Sequence, residues 1–332
     1  MDAVARIAQA VLYEGYVLWP YRRSATKNRQ RWTFGGVHPA GWTAADHADD
    51  SCVMQTQCLV AGPAEATLAL TLRFLHVVDR QVLRRTDNGL EAVDELTVAG
   101  ERHLSWEEAT ERQLAHPATS LDTLRAGARL ALDIPAGEAL APLADEGAIR
   151  RRWAPLQGTV RLQAEPVDTD LHRVTVRVTN TTPWPGGDRP AALRRTLVST
   201  HAMLRAGDGA RLLSLTDPPA ATRAAAAACE NIGTWPVLVG APGDEHTLLS
   251  SPIILEDHPQ IAPESPGDLF DGGEIDELLI LNVLTLTAEE QREARDSDPR
   301  AREIIDRCAG LSREQLMRLH GTIRELRPAA GP

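Results

Sequence analysis

Lysine is nearly missing from this sequence: Lys27 is the only one in 332 residues. Lys and Arg together number 35 against 46 Asp and Glu, a formal net charge of −11. That balance argues against nucleic acid as the main partner, because affinity for phosphate backbones comes mostly from basic side chains. The arginines accompany abundant alanine, the mark of a GC-rich coding bias, so their excess alone selects no ligand. Cysteine is scarce too. Four cysteines are too few for a disulfide framework, and a reducing compartment keeps them as thiols. No apolar run reaches 18 residues, so no membrane span is expected. The opening MDAVARIAQAVLYEGY carries Asp2 and Glu14 and has no basic leader or cleavage site, so a cytoplasmic location is expected. No phosphate loop of the GxxxxGK or GxGxxG kind is present.

What is present reads as a packed protein, 43% hydrophobic and 24% charged. Residues 3–12 suit a short helix or strand. Alternation of β-branched and polar residues predicts strands over Ser51–Ala61 and Ala66–Val78, with more at 90–104 and 127–134. Ser105 followed by Glu108 predicts a capped short helix over 105–115. A hairpin is expected around Val167–Leu171, where Asp168 and Asp170 form the turn; Val174, Val176 and Val178 alternate with Arg173, Thr175, Arg177 and Thr179. The runs LRRTLVSTHAMLR and ARLLSLTD resemble paired strands, AATRAAAAACE a short helix, and TWPVLVG and TLLSSPIIL strands. The fold class expected is α+β: a β-sandwich-like or barrel-like body over 1–260, a Pro/Gly-rich connection over 261–272, and a helical segment over 273–327. Helices are predicted near 273–285, 288–296, 299–308 and 312–326. Capping boxes at Thr287/Glu290 and Ser312/Gln315, and Asp298 before Pro299, mark three of their starts.

Three polar constellations merit weighing. The segment 20–36 gathers Arg22, Arg23, Lys27, Arg29 and Arg31 with Asn28, flanked by Tyr21 and Trp32 and closed by Gly35-Gly36. Such a loop suits an anionic ligand or an acidic partner, through charge, stacking and close backbone approach; the alternative is a solvated loop whose arginines pair with the chain's own carboxylates. Cys52 and Cys58, with His38 and His47 upstream, suggest zinc, but on one strand the two thiols lie about 20 Å apart, far beyond the reach of one ion. No metal and no cofactor are therefore expected. The stretch with Glu264, Asp268, Asp271, Glu274, Asp276 and Glu277 offers a docking surface or, more simply, helix-start acids favoured by the helix dipole. Ser199-Thr200-His201 and Ser250-Ser251 fall in strand-like contexts without a nucleophile elbow, so no catalytic residue is assigned.

Taken together, EGYVLWPYRRSATKNRQRWTFGG, TDPP with TWPVLVG, LSSPIILEDHPQIAPESPGDLFDGGEIDELLILNVLTLTAEE and DPRAREIIDRC resemble a bacterial family without an assigned activity, encoded in clusters with nickel–iron hydrogenases of the actinobacterial, high-affinity type. The resemblance implies a hydrogenase subunit or maturation factor as protein partner. The chain would then be a non-enzymatic accessory or assembly factor. The alternative reading is an enzyme or binding protein that holds an anionic small molecule with the basic-aromatic loop 20–36.

Overall fold

Alternating strands outnumber every other element in the structure, a computed structural model describing residues 3–14, 16, 21, 35–45, 47, 49–260 and 276–311. Helix α1 (Ala3–Tyr13) comes first, and α2 (Ala40–Thr43) precedes β1 (Val53–Ala61) and β2 (Thr67–Thr86). Then follow β3 (Gly89–Val93), β4 (Glu95–Val98), β5 (Glu101–Leu104), β6 (Trp106–Ser120), α3 (Leu121–Arg125), β7 (Ala128–Ile134), β8 (Gly137–Leu143) and β9 (Gly147–Trp153). The hairpin β10 (Leu156–Asp168) and β11 (Leu171–Asn180) leads to α4 (Arg189–Leu193), β12 (Val198–Ala206) and β13 (Arg211–Leu213). Helix α5 (Arg223–Ala227), β14 (Trp235–Leu238) and β15 (Thr247–Ser251) complete the strand-bearing part. Helices α6 (Asp276–Thr285), α7 (Ala288–Ser297) and α8 (Pro299–Ala309) come last. Of the described residues, those through Tyr16 and from 35 to 260 belong to one compact unit, and 276–311 to another.

The strands form two large antiparallel sheets and a small ribbon, so the body is a sandwich and not a barrel. One sheet has the order β13-β1-β11-β10-β7, the other β14-β15-β12-β2-β9-β8. The long β2 carries β6 along most of its length and β3 at its end. One core fills the space between the sheets. Met54, Cys58 and Val60 of β1, Val160 and Leu162 of β10 and Val174, Val176 and Val178 of β11 meet Leu68, Leu70, Leu72 and Phe74 of β2 and Leu204 of β12. Each contributes every second residue, the period of a strand with one buried face. Outside the sandwich, Ile7, Ala8 and Val11 of α1 pack on Val237, Val239 and Leu249. Ala226 of α5 packs on Leu59, Leu171 and Leu213.

The β10–β11 hairpin turns where expected: Asp170 is left-handed at φ 54, and the Asp168 carboxylate accepts from the Thr169 N–H at 2.7 Å. The helical unit also matches its sequence signals. Thr287 and Glu290 form a reciprocal capping box. The Asp298 carboxylate accepts from Arg300 N–H, with Pro299 in the first turn. Ala301, Ile304, Ile305 and Cys308 are buried at helical spacing along α8. The fourth expected helix, 312–326, lies outside the described residues.

Two expectations are corrected. The expected helix over 105–115 is absent: residues 106–115 are strand, because β6 pairs with β2 from Arg80↔Trp106 to Thr67↔Ser120. Thirteen such pairings outweigh a weak local propensity. Pro117, which cannot donate to the ladder, sits where the register shifts opposite Leu68 and Leu70. Ser105 is no cap: its hydroxyl donates to Val93 O at 2.6 Å and accepts from Val82 N–H at 2.8 Å. Replacing Ser105 by Ala should therefore cost about 1–3 kcal/mol in urea unfolding, the range for unpaired buried polar groups; a loss under a few tenths would show that water substitutes for it. The second correction concerns 198–213. β12 and β13 do not pair; β12 joins β2 and β15, and β13 joins β1 in the other sheet.

Candidate functional site

A cavity of about 290 Å³ opens where residues 35–38 are added to the body, lined by Gly35, Gly36, His38, Asp49, Asp50 and Trp235 among others. Val37 is the stitch. It exchanges both backbone hydrogen bonds with Leu197, just before β12, and the His38 N–H donates to Ser51 O, just before β1. The segment thus bridges the entrances to both sheets. A bulge in β12 receives it: Ser199 is left-handed at φ 49, and the Thr200 N–H donates to Gly35 O at 3.1 Å. Ser199-Thr200-His201 is therefore a buried structural bulge, with the Ser199 hydroxyl donating to Val11 O of α1.

His38 is 3% exposed and held at both ring nitrogens. Its Nε2 lies 3.3 Å from Asp50 Oδ1, and its Nδ1 lies 3.0 Å from Thr196 Oγ1. The carboxylate fixes the Nε2–H tautomer, so the single Thr196 hydroxyl proton is shared between Nδ1 and Ala192 O, 2.8 Å away. Burial is the main influence on His38 and holds its pKa below the usual value, against the opposing pull of Asp50. Burial pushes Asp50 upward, but the Trp42 hydrogen bond, His38 and Arg189 outweigh it and leave the carboxyl below its usual range. Trp42 Nε1 donates to Asp50 Oδ2 at 2.8 Å and Arg189 Nη1 to the same oxygen at 2.9 Å. His47 stacks on Trp42 at 3.5 Å, and Trp184 packs edge-on to it at 5.4 Å.

The order carboxylate, imidazole, hydroxyl has the outline of a nucleophile relay, but Thr196 is fully buried and shares its proton with a carbonyl. His38 and Asp50 are part of the cavity wall, and Thr196 is bonded to His38. Gly36 belongs to that wall, since a Cβ there would lie 2.7 Å from His38 Nε2.

Of the residues singled out from sequence, Tyr21 is buried and left-handed at φ 58. Arg22, Arg23, Lys27, Asn28, Arg29, Arg31 and Trp32 lie outside the described residues, as do Glu264, Asp268, Asp271 and Glu274. Asp276 and Glu277 start α6, with side chains outside the description. Cys58 faces the core, where burial pushes its thiol well above the usual range, and Cys52 is half-buried ahead of β1. His38 and His47 are joined to Asp50 and Trp42, not to the cysteines. Among the described residues no group of three or more His, Cys, Asp or Glu converges as metal ligands, and no helix is long and apolar enough to cross a membrane.

The fold and this cavity define an antiparallel β-sandwich with a C-terminal helical segment. No protein-family model matches the chain, and no curated protein matches it either.

Proposed function

We propose that this chain is a non-enzymatic accessory or assembly factor of a cytoplasmic nickel–iron hydrogenase, its β body a binding platform and its C-terminal helices a docking element. The hydrogenase context rests on the sequence resemblance alone. The non-enzymatic part rests on one observation: the histidine of the cavity has both ring nitrogens engaged, by Asp50 and Thr196. A general acid or base needs a nitrogen within reach of the substrate's proton, and His38 presents none. The test is affinity capture of the tagged full-length chain from its native host. Enrichment of a hydrogenase subunit or maturation factor, with lower hydrogenase activity when the gene is deleted, supports the reading; neither effect sinks it.

The second reading, a small-molecule binder using the loop 20–36, draws support from Gly35 and Gly36, the end of that loop, on the cavity wall. The same wall carries Asp49 and Asp50, which disfavours an anion and favours a cationic or neutral guest. A thermal-shift screen with nucleotides and with organic cations separates these. Stabilisation by a nucleotide alone would restore the anion.

A further inference from the structure

One row of arginines on the five-stranded sheet differs from the arginines of the eight-stranded sheet. On the eight-stranded sheet, Arg152 lies opposite Glu138 in the β8–β9 register and bonds to it at 2.8 Å. There too Arg73 meets Glu111 at 3.0 Å, and Arg80 and Arg151 share Glu108. On the outward face of the five-stranded sheet the register sets arginine against arginine. Arg129 lies opposite Arg161, Arg161 opposite Arg177, and Gln55 ends the row. Val160, Leu162, Val176 and Val178, between them in sequence, point into the core, so the three guanidinium groups share the outer face. Arg129 and Arg161 are exposed and Arg177 is half-buried.

Like charges directly opposite each other destabilise a sheet. Arg129 on the edge strand has a local use, since edge charges discourage pairing with other chains. Arg161 and Arg177 lie on interior strands and have no such use. Among the described residues, no carboxylate lies within ion-pair distance of any of the three. Arg177 is steadied by Gln55, whose Oε1 accepts from its Nη1 at 2.8 Å. Thr159, Thr175, Thr179, Gln163 and Gln57 surround the row on this face, with Glu165 opposite Arg173 beyond it on one side and Asp133 opposite Gln157 beyond it on the other.

We propose that this face docks a helix of a protein partner carrying an acidic stripe. The spacing supports a helix. Side chains opposite one another on adjacent strands stand about 4.5–5.5 Å apart, and residues four apart on a helix about 5–6 Å apart. Glu or Asp at i, i+4 and i+8 then meets Arg129, Arg161 and Arg177 in turn, with the helix lying across the strands. An open sheet face suits such an element better than a small molecule, which binds in concave sites. The inference takes from the accessory reading only that the partner is a protein.

The probe is a labelled alanine-based helical peptide of ~20 residues, long enough to hold its helix, with Glu at i, i+4 and i+8. Fluorescence anisotropy against the full chain should show saturable binding, weakened on raising salt to ~0.5 M. The double change Arg129→Gln with Arg161→Gln should weaken it at least about tenfold, and Arg152→Gln on the other sheet should leave it unchanged. Arg161→Gln should keep or raise the melting temperature, because the central charge of the row is gone. No saturable binding, equal binding by the double variant, tighter binding of a duplex oligonucleotide, or a marked drop in the Arg161→Gln melting temperature would each overturn the proposal. The assay uses no hydrogenase component, so its failure leaves the accessory reading to the capture experiment, and a failed capture leaves the acidic-helix face standing.

Discussion

Lowering the pH from 7.5 to 4.5 should destabilise this protein progressively, with most of the loss below pH 6.5. His76 on β2 and His201 on β12 are both fully buried. Burial is the chief cause that brings each pKa down to about 4. Arg112 lowers His76 further, while the carbonyls of Ala154 and Arg194 pull it up without good hydrogen-bond geometry. His201 is pulled up by Ser199 O, 3.1 Å from its Nδ1, and among the described residues its Nε2 has no partner. The sign follows from proton counts. Below pH 6.5 the unfolded chain protonates both histidines and the native state protonates neither until about pH 4, so acid favours unfolding. Each histidine contributes a slope of about 1.4 kcal/mol per pH unit inside that window. Together they remove a few kcal/mol, a large share of the 5–15 kcal/mol typical of a domain. Urea midpoints at pH 7.5, 6.5, 5.5 and 4.5 read this directly. The double variant His76→Gln with His201→Gln should flatten the curve in that window, even if its stability at pH 7.5 is lower. A wild-type curve flat down to pH 4.5 would show that these imidazoles titrate normally.

The body's architecture was legible where one face of a strand decides the pattern. Val174, Val176 and Val178 point inward as their alternation requires, and the capping signals at Thr287 and Asp298 need only local bonds. Segments decided by distant partners were not legible. Residues 106–120 carry helix-compatible charge, and only β2, lying 53 residues earlier at Thr67↔Ser120 and 26 earlier at Arg80↔Trp106, makes them strand. The cavity was hidden for the same reason. His38, Asp50, Arg189 and Thr196 come from separated stretches, and a cysteine-centred reading of His38 looked for the wrong partners. The arginine row was closer to view. Arg161 and Arg177 are equally spaced about the turn at Asp168–Asp170, so the hairpin alone pairs them. Reading that hairpin for its valines drew attention to the buried face and away from the exposed one.

Asn180→Ala should destabilise the protein by about 2 kcal/mol or more, because its side chain bonds Arg195 O and the Thr182 N–H and adds a second bond to Val37 O, which also accepts from Leu197. Its Nδ2 donates to Val37 O and to Arg195 O, both at 2.8 Å, and its Oδ1 accepts from the Thr182 N–H at 2.9 Å. Asn180 is fully buried, so water does not readily replace it. Each stranded group costs about 1–3 kcal/mol, with less than full additivity among neighbours. The consequence reaches the cavity. Val37 precedes His38, and Arg195 precedes Thr196, so the amide holds together the two segments whose side chains meet at 3.0 Å. Losing it should free His38 from Thr196 as well as lower stability. Asn180→Asp is the sharper test, since it keeps the acceptor but turns an ionised oxygen toward two carbonyls. At pH 7.5 it should be at least as damaging as the alanine change. Urea unfolding gives the cost, and imidazole nitrogen shifts in an NMR spectrum of the variant give the state of His38. A cost under about 1 kcal/mol, or an unchanged His38 signal in a variant that stays folded, would mean the segments are held by the Val37–Leu197 backbone pair alone.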